Sequence, residues 1–217
     1  MAPKQQTTRP TDPRYREGLE LIELRHAAND RPEMVARQVR AAIQIAEDLL
    51  RDDPTKADYH FLLGYGWYNL DDAEPIERAK LTQRHFREAL RLDPDHFHSR
   101  LYLAHELFDE KRYREARDEF ERCASRPEAR SLHEWQRLKL RELILACQWH
   151  ETPQTFDLTV GMNFVDELCD LAEDERPRPT ELIECIDGIL PMLDASTARL
   201  AKQFREMRFA LKISTPF

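Results

Sequence analysis

The chain has 217 residues, of which 41% are hydrophobic, enough for one sizeable domain or for one domain with an appended piece. Its formal net charge is −8, which argues against broad nucleic-acid binding because that function needs a basic surface. With only 5 glycines and abundant Leu, Ala, Glu and Arg, the composition favours helix over sheet. No run approaches the ~18 apolar residues of a membrane span, and the polar start MAPKQQTTRPTDP does not resemble a secretory signal. We therefore expect a soluble, cytoplasmic protein.

Hydrophobic periodicity predicts a disordered tail over residues 1–12 and then helices joined by short polar turns. The predicted helices are 13–28, 33–52, 56–70, 76–92, 96–109, 112–125, 130–149, 158–174, 179–193 and 196–212. The stretches LLRDDP and ALRLDP each place Asp-Pro after an amphipathic segment, and proline disfavours the helical conformation in the residue before it. Pro54 and Pro94 therefore mark equivalent joints 40 residues apart, a spacing typical of internal repeats.

The motifs between these joints repeat as well. The stretch HFLLGYGWYNL contains Leu63, Gly64 and Trp67, and Phe86, Ala89 and Pro94 follow. The next copy contains Leu103, Ala104, Leu107, Ala116 and Phe120. Over residues 13–125 the chain resembles the tetratricopeptide-repeat family, whose helix–turn–helix units carry W-x-x-L-G-x-x-Y, A-x-x-x-F and P. It departs from the family at Thr82, where a small alanine is expected, and by about six extra residues between the helices of the first clear copy.

This resemblance implies an all-α fold, a right-handed superhelix of antiparallel helix hairpins. We expect about three hairpins over residues 13–125, the first a degenerate copy with Gly18 as its small residue, and a divergent helical cap over 126–217. In the family, the first helix of each unit lines a concave groove that binds a partner. The matching positions here are Asp58, Phe61, Tyr65, Tyr68, Asn69, His98, Leu101, His105, Phe108 and Asp109.

The groove composition predicts the chemistry of the partner. Aromatic rings offer a large contact area at modest entropic cost. The family's carboxylate clamp uses Lys, Arg and Asn, whereas aromatic, His and Asp side chains occupy these groove positions. We therefore expect a protein or peptide partner that contributes an apolar or mildly basic segment, and histidines that make binding pH-sensitive.

An adaptor or scaffold is the leading functional prediction. A small secretion-type chaperone or an immunity-like inhibitor is the alternative, and self-association through the groove or the exposed repeat end remains open. An enzyme or metal protein is less favoured, because no phosphate-binding loop, nucleophile motif or C-x-x-C pair occurs in the sequence. His98 and His105 share a helix face, but their Cα atoms lie ~10.5 Å apart, too far for easy chelation of one ion. We therefore predict no metal, no cofactor and no catalytic residue.

Overall fold

The structure, a computed structural model, describes residues 12–24, 32–153 and 155–169. Within these ranges the chain forms helices and turns and no strand, which confirms the predicted all-α class. The helices are α1 Pro13–Glu23, α2 Pro32–Asp52, α3 Ala57–Tyr68, α4 Pro75–Leu92, α5 Phe97–Asp109, α6 Tyr113–Ala124, α7 Glu134–Glu151 and α8 Leu158–Cys169. A short 3₁₀ helix, Pro127–Ser131, precedes α7.

Most predicted helix limits agree with the structure to within two residues. The exception among the fully described segments is 130–149, because the 3₁₀ helix occupies its first residues and α7 begins only at Glu134. The predicted helices 179–193 and 196–212 lie outside the described residues, as does the predicted tail up to residue 11. The ends of segments 13–28 and 158–174 also fall outside them.

The two Asp-Pro joints have the same local geometry. At the first joint, α2 ends at Asp52 and the Asp53 carboxylate accepts the backbone N–H two residues later at 3.0 Å. At the second joint, α4 ends at Leu92 and the Asp93 carboxylate accepts the corresponding N–H, also at 3.0 Å. In both turns the proline carbonyl then accepts a side-chain hydrogen bond from six residues further on. The geometry of the turn therefore recurs at the 40-residue spacing read from the sequence.

The chain divides into two compact units, Met1–Glu106 and Leu107–Phe217, hereafter the first and second units. In the first unit, α1 packs on α2, α2 on α3, α3 on α4, and α1 also contacts α3. Since α3 has neighbours on several sides, its side chains are buried nearly all round rather than along one stripe.

Glycines allow the helices of the first unit to approach closely. A Cβ atom built on Gly18 of α1 would lie 2.7 Å from Leu62 Cδ2 of α3. One built on Gly64 of α3 would lie 2.8 Å from two ring carbons of Phe86 in α4, and one built on Gly66 would lie 2.6 Å from Ile43 Cγ1 of α2. Real side chains do not sit at such distances, so glycine at these positions sets the spacing between helices.

The core of the second unit lies between α6 and α7. Phe120 and Cys123 of α6 are fully buried, as is Cys147 of α7, and both cysteines are free thiols. Toward the end of α7, Trp149 packs edge-on against Phe156, with ring centroids 5.5 Å apart. The packing of α6 on α7 buries the apolar stripe of α6, whose opposite face carries charged side chains.

Candidate functional site

A cluster of aromatic rings joins α3 to α5 in the first unit, with the ring of Tyr102 at its centre. Its centroid lies 4.8 Å from that of Tyr65, 5.3 Å from that of Tyr68 and 6.1 Å from that of Phe61. The Tyr102 hydroxyl also donates to the Tyr65 hydroxyl at 3.4 Å. These separations are typical of favourable tilted and edge-to-face ring pairs, so the cluster is a cohesive part of the fold.

Three of the predicted groove residues are buried. Phe61 and Tyr65 expose only 5% and 8% of their surface and stack on each other at 5.5 Å. Asn69, predicted to give a polar contact to a partner, is only 1% exposed, and its side-chain amide donates to the Tyr65 carbonyl at 2.6 Å. This hydrogen bond uses the amide to cap the end of α3, so the structure gives Asn69 a role within the fold.

Other predicted groove residues of the first unit reach the surface around this cluster. His98 is exposed, while Tyr68, Leu101 and His105 are half-buried. The His98 ring lies 5.7 Å from Phe61, and the His105 ring lies 6.1 Å from the central Tyr102. The structure thus brings side chains of α3 and α5 into one cluster.

Phe108 and Asp109, also predicted for the groove, belong to the second unit. The Phe108 ring is half-buried and packs edge-on against Tyr113 and His150, at 5.4 and 6.2 Å. Tyr113 and His150 stack almost in parallel at 4.1 Å. Asp109 is exposed at the end of α5. The structure thus gives the position of both residues, and a binding role for them stays a prediction.

A polar network fixes the edge of the aromatic cluster. Asp58 is half-buried, and its Oδ1 lies 3.5 Å both from the Tyr15 hydroxyl and from His96 Nε2. The other ring nitrogen of His96 accepts the Ser99 backbone N–H at 3.1 Å, so the hydrogen of the neutral imidazole is on Nε2 and points to Asp58. Asp58, a predicted groove residue, is consequently held by partners from α1 and from the turn before α5.

Tyr102 and His96 are not among the groove residues predicted from the sequence. Tyr102 follows His98 by four residues, so the i, i+4 rule of helix faces was the signal that would have included it. The role of His96 as a cap of α5 has no comparable signal, because histidine is not a usual N-cap residue.

A pair of histidines links α3 to α4. His60 Nδ1 and His85 Nδ1 lie 3.3 Å apart, and the two ring planes are inclined by only 22°. Burial, and next the neighbouring His60, lowers the pKa of His85 to about 4. Burial likewise lowers the pKa of His60. The pair is therefore neutral at pH 7, and one Nδ1–H donates to the other Nδ1.

The described residues contain no group of three or more His, Cys, Asp or Glu side chains arranged to hold a metal ion. None of the helices in that part of the chain combines the length and the apolar character that crossing a membrane requires. Comparison with protein-family models, with curated proteins and with solved structures finds no match to this chain.

Proposed function

We propose that the chain is a tetratricopeptide-like repeat protein whose first unit binds a segment of a partner protein. Three features of the described residues support the repeat architecture. The turn geometry recurs after 40 residues at Asp53 and Asp93, α1 contacts α3 in addition to α2, and glycines sit where α3 meets its neighbours. Repeated helix hairpins stack so that each buries the apolar face of the one before it.

The observation that carries the binding proposal is the mixed cluster of α3 and α5. Side chains from two successive first helices meet there, and Tyr68, Leu101, His98 and His105 keep part of their surface accessible. Their aromatic neighbours hold them in place from behind, so little conformational entropy is lost when a partner docks. Half-buried aromatic side chains on a rigid support are the residues that most often dominate binding energy at interfaces.

The partner that best suits this surface is an apolar segment with a Lys or Arg beside it. The rings supply apolar contact area and electron-rich faces that attract cations. Asp58 adds a carboxylate at the edge of the cluster, oriented by Tyr15 and His96. The net charge of −8 further favours the approach of a basic segment over an acidic one.

The proposal is tested by measuring fluorescence polarisation with three peptide sets of equal length: apolar with basic residues, apolar with acidic residues, and polar. The test variant replaces Tyr68, His98 and His105 by Ala. The matched control replaces three exposed residues of α2 by Ala, and they are Arg37, Gln44 and Glu47. Circular dichroism of all three proteins establishes that each is folded.

We expect wild type and control to prefer the same apolar-basic peptides, and the test variant to bind them at least tenfold more weakly, since several interface contacts are lost together. A preference for the acidic set, or equal binding by test variant and wild type, would contradict the proposed surface.

A further inference from the structure

Asp58, in the first turn of α3, borders the surface that we propose for partner binding. Its Oδ1 atom lies 3.5 Å from His96 Nε2, and the centroid of the His96 ring lies 5.3 Å from that of Phe61. The exposed ring of His98 in turn lies 5.7 Å from that of Phe61. A chain of contacts therefore connects the Asp58 carboxylate with the exposed side of α5, so that one bound segment can touch both.

The two oxygens of the Asp58 carboxylate differ in their surroundings. Oδ1 accepts a hydrogen bond from the Tyr15 hydroxyl at 3.5 Å and faces the Nε2–H of His96 at the same distance. Oδ2 has no hydrogen-bond or ion-pair partner among the described residues, and 30% of the side chain is exposed. Each carboxylate oxygen accepts about two hydrogen bonds, so Oδ2 is the atom with capacity for an incoming donor.

We infer that Asp58 Oδ2 binds the ammonium group of a lysine in the partner segment, in preference to the guanidinium of an arginine. The inference rests on the proposed function, because it names the cation that the same surface recognises. A guanidinium binds most strongly when its fork meets both oxygens of a carboxylate. Oδ1 is already engaged by Tyr15 and His96, so a bidentate pair would have to displace them. An ammonium is a compact charge with three rotatable donors, and one available oxygen is enough for it.

The charges around the start of α3 favour a cation there. Burial raises the pKa of Tyr59, the residue after Asp58. Three nearby carboxylates raise this pKa further, and they belong to Asp12, Asp53 and Asp58. The guanidinium of Arg14 acts in the opposite direction. The balance of charge at this ring is therefore negative, which attracts an approaching ammonium group.

Fluorescence polarisation tests the inference with one apolar peptide in three forms, which carry lysine, arginine or norleucine at the same position. Norleucine keeps the aliphatic stem of lysine and lacks its charge. The test variant of the full chain is Asp58→Asn, which retains one oxygen for Tyr15 and His96 and replaces the other oxygen by an amide donor. The matched control is Asp72→Asn, which removes an exposed carboxylate elsewhere in the first unit. Circular dichroism establishes that each variant is folded.

We expect wild type and control to bind the lysine peptide about five- to tenfold more tightly than the norleucine peptide, and also more tightly than the arginine peptide. In Asp58→Asn, the lysine and norleucine peptides should bind equally. A lysine preference that persists in Asp58→Asn would overturn the inference, as would equal binding of arginine and lysine by wild type. If Asp58→Asn does not fold, the three peptides on wild type still decide.

Tyr15→Phe tests the role of Oδ1 separately. It removes one of the two donors from this oxygen and leaves Oδ2 unchanged, so the arginine peptide should gain affinity relative to the lysine peptide. An unchanged ratio of the two affinities would contradict the selection of lysine by an occupied Oδ1. The proposed function fails in a different way. If none of the peptides binds wild type, the proposed function is wrong and the inference falls with it, whereas equal binding of all three overturns the inference alone.

Discussion

The contact between Gly64 and Phe86 sets the distance between α3 and α4, and the substitution Gly64→Ala tests it. A methyl group on Gly64 would lie 2.8 Å from Cδ1 and Cε1 of the Phe86 ring and 3.3 Å from His85 Cβ. Phe86 is fully buried, so its ring has no solvent-filled space into which it can turn. Two atoms of a rigid ring must therefore shift, and α4 must shift with them.

Two opposing free energies determine the result. Alanine improves helix propensity over glycine by about 1 kcal/mol. Forcing an extra methyl into a packed core costs about 1–3 kcal/mol, and contact with a rigid ring places this site in the upper part of that range. We therefore expect Gly64→Ala to lower the free energy of unfolding by about 1–2 kcal/mol. Urea denaturation followed by far-ultraviolet circular dichroism measures it.

Two further variants separate the opposing terms. Ala41→Gly changes an exposed position of α2 and reports the helix-propensity term alone, about 1 kcal/mol. Phe86→Leu removes the ring atoms that meet the new methyl group. The double variant should therefore lose about 1 kcal/mol or more less stability than the sum of the losses in the two single variants. If Gly64→Ala is instead more stable than wild type by the full propensity term, the ring does not lie against Gly64 and our description of the α3–α4 packing is incorrect.

Three other predictions follow from the described contacts. The pKa of His85 is about 4 in the folded chain and ordinarily 6.5, so the unfolded chain binds more protons between these pH values. The free energy of unfolding should therefore fall as the pH drops from 6.5 to 4. Urea denaturation should show a smaller fall in His85→Asn, and an equal fall would contradict the lowered pKa. Phe120→Ala, at a fully buried site, should lower the free energy of unfolding by about 3–5 kcal/mol. Trp135→Ala, at a site 49% exposed, should lower it by under about 0.5 kcal/mol. Similar losses for the two variants in calorimetry would contradict the assignment of the core. His96→Ala should lower the free energy of unfolding by about 0.5–2 kcal/mol, because α5 loses its cap. His96→Asn, whose side chain can still cap the helix, should stay close to wild type in denaturation curves.

Signals carried by neighbouring residues were sufficient to predict most helix limits and joints within the described part of the chain. Asp-Pro ends a helix for reasons that lie within a few residues, since proline restricts its predecessor and aspartate accepts the next N–H groups. The matching turns at Asp53 and Asp93 show this most clearly. The small size of Gly18 and Gly64 was likewise a sound guide to close helix contacts.

Burial within the candidate site was harder to predict, because it depends on how far each helix rotates about its axis. The periodicity of α3 gave no single apolar face, since this helix is covered on several sides. Phe61, Tyr65 and Asn69 therefore looked equivalent to Tyr68 in sequence, although the fold buries the first three and leaves Tyr68 half-exposed. Sequence periodicity therefore predicted the position of a helix more reliably than it predicted which of its side chains reach solvent.

The histidine pair illustrates how a contact between side chains arises from packing alone. His60 precedes Gly64 by one helical turn, and His85 directly precedes Phe86. Once Phe86 settles against Gly64, the antiparallel course of α4 brings His85 alongside His60, and their nitrogens meet at 3.3 Å. No spacing rule within one helix could reveal this, since the two residues are 25 positions apart and an irregular turn separates their helices. If Gly64→Ala moves α4 outward as we expect, it should therefore lengthen the contact between the two imidazoles as well as lower stability, although neither histidine has been changed.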